Sequence, residues 1–253
     1  MAAPVYDAIV LFGDSITQAG WTDSAFGAKL ANVYSRKLDV LNRGLAGYNT
    51  TWALPVLEQC LERGPQRSKT RLIVIWFGAN DACIKPSVQH VPLVEFIANI
   101  KQMVRLVQEA DPETKVILIT PPPVNTQQRK EDLESREPPI MTIDRDFEVT
   151  QQYAGGVLKA GADCNVPVVN VWVALWQAAG NKEDGLRVYL SDGLHLTRAG
   201  YEVGLDDSPT KEADQRTIKV VYDALLERIR ASHGELDPEK LPSVFANWTE
   251  MSA

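Results

Sequence analysis

The chain has 253 residues, 45% of them hydrophobic and 23% charged, with a net charge of −7 at pH 7. These values belong to a globular protein with room for a sizeable α/β core, and they exclude a chain disordered throughout. The acidic balance, with no basic stripe to displace counterions from a polyanion, argues against nucleic acid as a partner.

Cys60, Cys83 and Cys164 are an odd number without a Cys-x-x-Cys pair, which reads as reduced thiols in a reducing compartment. With only His90, His195 and His233 and no clustered spacing, no metal site is expected. Residues 1–6 carry no basic side chain and residues 8–12 are needed as a strand, so no secretory signal is read and a cytoplasmic placement is expected. No apolar run is long enough to span a bilayer, so stable membrane insertion is not expected.

In chain order, five apolar runs alternate with segments of helical period, the pattern of a parallel sheet covered on both faces. The strands are expected at residues 8–12, 39–41, 71–77, 115–120 and 168–171, and the helices near 25–37, 50–61, 92–109, 146–162 and 211–230. Arg71 to Phe77 is the most apolar run and is placed at the sheet centre. Residues 42–50 read as a turn, 181–185 as a solvated loop, and 232–253 as a tail on a single domain covering 1–253. The segment 125–145 is charged, broken at Pro138 and Pro139, and long for a loop. Its expected form is either a solvated excursion or a partial lid, with Pro139, Ile140 and Met141 as an apolar patch reaching the acyl or alcohol group while residues 129–136 stay in water.

Polar turns follow the strands, and together they offer the groups that acyl transfer requires. Gly13-Asp14-Ser15 ends the first strand and presents a hydroxyl at the carboxyl edge of the sheet, where open α/β folds bind ligands. A serine hydroxyl needs a base, and the base needs a carboxylate to hold its tautomer. Asp192-Gly193-Leu194-His195 supplies both in one turn. The developing oxyanion needs donors already in place, for which the backbone N–H groups of Ser15 and Gly47 and the side chain of Asn80 are the candidates. Taken singly each has a plainer reading: Asp14 or Ser15 as a helix cap, Gly47 as a turn glycine, Asn80 as a cap, Asp192 and His195 as a loop pair. Their joint occurrence after successive strands favours the catalytic reading. Asp14, Trp21, Ile140, Met141 and Leu194 are the candidates for substrate contact.

These blocks resemble those of the SGNH hydrolases of the GDSL esterase/lipase group. Gly13-Asp14-Ser15-Ile16 matches the first block, residues 44–50 the second, Gly78-Ala79-Asn80-Asp81 the third and Asp192-Gly193-Leu194-His195 the fifth. Within the group the chain is most similar to the isoamyl acetate-hydrolysing esterases, through Thr120-Pro121-Pro122-Pro123, the run 190–196 and the closing segment 241–248. The resemblance implies a three-layer α/β/α fold with a flavodoxin-like five-stranded parallel sheet, a Ser-His-Asp triad and no cofactor. Residues 125–145 and 198–217 depart from the pattern and flank the crevice.

The sequence therefore reads as a serine carboxylic-ester hydrolase acting on small neutral esters such as short-chain acetates. The same machinery serves thioesterases, lysophospholipases, carbohydrate deacetylases and acyltransferases, and a catalytically silent binding module is the reading from outside enzymology. A nucleotide-binding protein lacks support, because neither a Gly-x-Gly-x-x-Gly nor a P-loop follows any strand. Homo-oligomer formation stays open.

Overall fold

A computed structural model describes residues 6–22, 25–61, 68–201 and 221–245. Five strands, β1 (Ala8–Gly13), β2 (Asp39–Gly44), β3 (Thr70–Trp76), β4 (Lys115–Ile119) and β5 (Val168–Val169), form one sheet in the order β2-β1-β3-β4-β5. Every pairing is parallel. The flavodoxin-like expectation is met, with β3 at the centre.

The strand sequences are continuous apolar runs because alternate residues are buried on opposite faces. Ile9, Leu11, Val74, Trp76 and Ile117 face one core, shared with Phe26 and Leu30 of α2 (Phe26–Val33), Leu175 of α7 (Val171–Ala178) and Ile229 of α9 (Val221–Ser232). Val10, Phe12, Ile73, Ile75 and Leu118 face the other, shared with Leu57 of α3 (Thr50–Leu61), Phe96 and Met103 of α4 (Leu93–Ala110) and Val157 of α6 (Phe147–Cys164). No helix among the described residues is long and apolar enough to cross a membrane.

β1 is where the chain reverses its direction of winding, since β2 lies on one side of it and β3 on the other. Gly13 pairs with both Gly44 and Trp76, so the loops leaving β1, β2 and β3 start at one level of the sheet's carboxyl edge. Gly44 is a glycine because a Cβ there would lie 2.0 Å from the backbone N of Gln18, in α1 (Ser15–Gln18), which packs across β2.

Several expectations change. β2 continues through Asn42 and Arg43, which were read as turn: it is an edge strand, half exposed, and carries little apolar signal. β5 stops at Val169, and Asn170 caps α7 by accepting from Val173 N at 3.1 Å, so the run that reads as strand passes straight into a helix. Residues 126–134 form a helix, α5 (Thr126–Glu134), capped by Asn125, whose side chain accepts from Gln128 N at 2.7 Å. The loop near 183 is tied to that helix, because the Glu183 carbonyl accepts from Asn125 Nδ2 at 2.7 Å. Of the expected helix 211–230, residues 211–220 lie outside the described residues, as does most of the 198–217 departure; Arg198–Tyr201 forms a single helical turn, α8.

The described part of the C-terminal segment is not a loose tail. Leu236 is buried in the α2 and α9 core, its carbonyl accepts from Tyr34 Oη at 2.7 Å, and Val244 N donates to Arg36 O at 2.9 Å. Leu236→Ala removes a fully buried side chain and is expected to cost about 2–5 kcal/mol in urea unfolding. A change near zero in the midpoint would mean that the segment contributes nothing to the core.

Candidate active site

The site grows out of the β1 terminus. Asp14 leaves the strand extended and caps α1, its Oδ1 accepting from Ile16 N at 2.9 Å, which sets Ser15 as the first helical residue. Gly13 has no substitute here: a Cβ would stand 2.1 Å from Thr17 Oγ1 and 2.5 Å from Trp76 O.

Residues 190–196 form a pinched turn, closed by the antiparallel Leu190–Leu196 bridge and by Ser191 N donating to His195 O at 2.8 Å. Asp192 Oδ1 accepts from the backbone N–H of Leu194 at 3.0 Å and of His195 at 2.7 Å, which folds the three-residue spacing back on itself. His195 Nδ1 then lies 2.8 Å from Asp192 Oδ2, and His195 Nε2 lies 2.9 Å from Ser15 Oγ across 180 residues of sequence. Burial alone would raise the Asp192 carboxyl, but the bonds from the His195 side chain and from the two backbone N–H groups more than reverse it, leaving it well below the usual carboxylate range. An ionised Asp192 only accepts, so Nδ1 carries the imidazole proton and Nε2 offers its lone pair to the Ser15 hydroxyl.

The residues read as oxyanion donors stand on a second framework. Gly47 has φ of +80° in a tight turn in which Tyr48 N donates to Leu45 O, a conformation that favours glycine. Asn80 Nδ2 donates to Tyr48 O at 2.8 Å, and its Oδ1 accepts from Arg145 Nη2 at 3.0 Å and Gln89 Nε2 at 3.3 Å. A guanidinium can only donate, so Arg145 fixes which end of the Asn80 amide is oxygen and leaves its second N–H available. Gln89 Nε2 also donates to Gly47 O at 2.8 Å, joining the two halves of this framework.

Asp81, beside Asn80, is structural: fully buried, it accepts from Thr50 N at 2.9 Å and from the Thr50 hydroxyl, starting α3. Burial pushes it up to about 6.

Of the residues proposed for substrate contact, Asp14 and Leu194 are corrected. Asp14 is 1% exposed and committed to its cap, and Leu194 is 3% exposed in the core, so neither offers surface to a ligand. Trp21, Ile140 and Met141 keep apolar surface in water. The picture of residues 129–136 as a wet strip is overturned at Arg129, which is 5% exposed and donates to Asp192 Oδ2 at 2.9 Å, and at Leu133, which is buried. Sequence reasoning also missed Gln89, Arg145 and the exposed pair Tyr48 and Trp52, whose rings meet edge to face at 6.2 Å. The four-residue step from Arg129 to Leu133, which puts both on one helix face, is the only local sign of this packing.

Burial pushes Asp14 up to about 7 from 3.8, the Ile16 N–H opposing and the nearby Asp81 charge adding to it. Between these two values the unfolded chain releases a proton that the folded chain keeps, so Asp14 lowers folding stability progressively as pH rises through that window, and the loss is constant above it. Asp14→Asn keeps the acceptor for Ile16 N and does not titrate. Thermal unfolding is therefore expected to show the variant gaining on the wild type from about pH 4 to pH 7. A gap independent of pH would mean that Asp14 is ionised in the folded chain.

The family model for the GDSL-like lipase/acylhydrolase family matches residues 11–203. The "Isoamyl acetate-hydrolyzing esterase 1 homolog" of Bos taurus is 40% identical over 202 residues, covering 78% of each chain. The "Isoamyl acetate-hydrolyzing esterase" of Saccharomyces cerevisiae is 32% identical over 97% of this chain and 95% of its own length. Among solved structures, a lipase/acylhydrolase from Enterococcus faecalis superposes with a TM-score of 0.58 at 25% identity, covering 95% of this chain and all of that one. With the family model spanning Ser15, Gly47, Asn80, Asp192 and His195, the chain belongs to the GDSL-like lipase/acylhydrolase family.

Proposed function

We propose that this chain hydrolyses small neutral carboxylic esters, acetates of short alcohols foremost, through an acyl-Ser15 intermediate. The observation that carries the reading is the continuous hydrogen-bonded path from Ser15 Oγ through His195 to Asp192, at 2.9 and 2.8 Å, assembled at the carboxyl edge of the sheet. The names of the relatives supply the ester class. An assembled nucleophile, base and carboxylate count against a silent binding module.

In the first half-reaction Ser15 Oγ attacks the ester carbonyl while His195 Nε2 takes its proton. Charge gathers on the carbonyl oxygen, to which the N–H groups of Ser15 and Gly47 and Asn80 Nδ2 would donate. The alcohol leaves with the proton from His195, and water then attacks the acyl-serine with His195 again as base. Tyr48 and Trp52, beside the Gly47 turn, together with Trp21, Ile140 and Met141, are proposed as the apolar surface for acyl and alcohol chains. Their exposed rings and chains suit an uncharged ester better than an anionic one. Cys60, Cys83 and Cys164 are all unpaired, which suits a reducing compartment.

Ser15→Ala is expected to lower hydrolysis of p-nitrophenyl acetate by about 10⁶-fold while leaving the circular dichroism spectrum unchanged, and to abolish labelling by a fluorophosphonate probe. Retained labelling would locate the nucleophile elsewhere. Asn80→Ala is expected to lower kcat by roughly 10²–10³ with KM little changed, whereas an effect confined to KM would make Asn80 a binding group and not an oxyanion donor. In a chain-length series, kcat/KM should be highest for acetate and propionate esters; a maximum at long acyl chains would refute the substrate class.

A further inference from the structure

The segment 125–145 contributes two buried arginines to the two halves of the site. Arg129, on α5, places Nη1 at 2.9 Å from Asp192 Oδ2, the same oxygen that faces His195 Nδ1. Its other edge is locked by a two-pronged pair with Asp144, Nε to Oδ1 and Nη2 to Oδ2 both at 2.9 Å. Asp144 also pairs with Arg145 Nη1 at 3.1 Å, and Arg145 holds Asn80. A chain of charge-assisted bonds therefore runs from the carboxylate that orients the base to the amide proposed for the oxyanion.

The backbone contact is equally close. Asn125 N donates to Gly193 O at 2.9 Å, and Gln128 Nε2 donates to Leu190 O at 2.8 Å. A Cβ on Gly193, whose φ is +80°, would lie 2.4 Å from Arg129 N, so the first turn of α5 rests directly on the Asp192–His195 turn. The helix thereby buttresses the turn.

We infer that Arg129 is a positioning residue for the ester hydrolysis proposed above: seated by Asp144, it fixes the Asp192 carboxylate in the orientation that holds His195 against Ser15. Lysine could supply the charge but not the fork that spans Asp144 and Asp192. The inference rests on the esterase reading, and its test separates the two.

Wild type, Arg129→Met and Arg129→Lys are compared for hydrolysis of p-nitrophenyl acetate as kcat and KM, and for the rate at which a fluorophosphonate phosphonylates Ser15, its Oγ displacing fluoride at phosphorus, both between pH 5 and 9. The charged groups near the imidazole are Asp192 on its own turn, Asp14 beside the nucleophile and Arg129 on α5, with Asp132, Asp144 and Arg145 behind. Arg129→Met removes a cation opposing the imidazolium while the acids remain. Its acid limb should move to higher pH, and kcat should fall on the order of 10²-fold with KM within about twofold. Arg129→Lys, which keeps the charge without the fork, should keep the wild-type acid limb and lose kcat several-fold, less than Arg129→Met. A role in stability alone would lower the melting temperature and leave the limb and the kcat-to-KM split unmoved, which overturns the inference. Should Arg129→Met fail to fold, Arg129→Lys decides: a several-fold loss confined to kcat supports the positioning role, and wild-type kcat overturns it. A wild-type chain that neither hydrolyses the ester nor is phosphonylated at Ser15 overturns the esterase reading and the inference together, whereas an active wild type with an indifferent Arg129→Met overturns the inference alone.

Discussion

The carboxylate of Asp192 is the group to which most of the site is tied. It is largely withdrawn from water, and a buried anion is tolerable only when its lone pairs are met by donors. Two backbone N–H groups, one imidazole nitrogen and one guanidinium meet them, drawn from its own turn and from α5. Satisfying the charge thereby bends the 192–195 turn, sets the histidine tautomer and docks a helix from another part of the chain. One electrostatic requirement serves folding and the proposed chemistry together.

The opposite requirement, close approach of backbone, governs the proposed nucleophile. β1, β2 and β3 end at one level, and α1 must start immediately beyond them while packing across the edge strand. Gly13 and Gly44 allow this because a Cβ at either would collide with its neighbours, with Thr17 Oγ1 and Trp76 O at Gly13 and with the Gln18 backbone at Gly44. The hydroxyl of Ser15 is thus delivered by a four-residue helix whose placement follows from the absence of two side chains.

Between these lies a group of buried acids with divided tasks. Asp14 and Asp81 are raised by burial, and each starts a helix, α1 and α3. Asp192 is lowered by its donors and remains anionic. Environment, not residue type, separates a structural carboxyl from the one proposed to orient a base.

By itself the sequence determined the sheet and picked out the candidate site residues. Strands β1, β3 and β4 are buried on both faces and so appear as unbroken apolar runs, and Ser15, Gly47, Asn80, Asp192 and His195 sit within a few residues of strand ends or in compact turns, where local spacing is informative. Tertiary structure decided what depends on partners distant in sequence. The α5 helix, whose one apolar side chain is Leu133, carries almost no periodic apolar signal, and its meaning comes from Arg129 meeting Asp192 across 63 residues, as that of Arg145 comes from meeting Asn80 across 65. The edge strand β2, the start of α7 and the seat of Leu236 were decided in the same way, by which side of a finished core each segment came to face. An arginine in a sequence reads as surface because an unpaired charge belongs in water, and only the folded chain supplies the carboxylates that bring it inside.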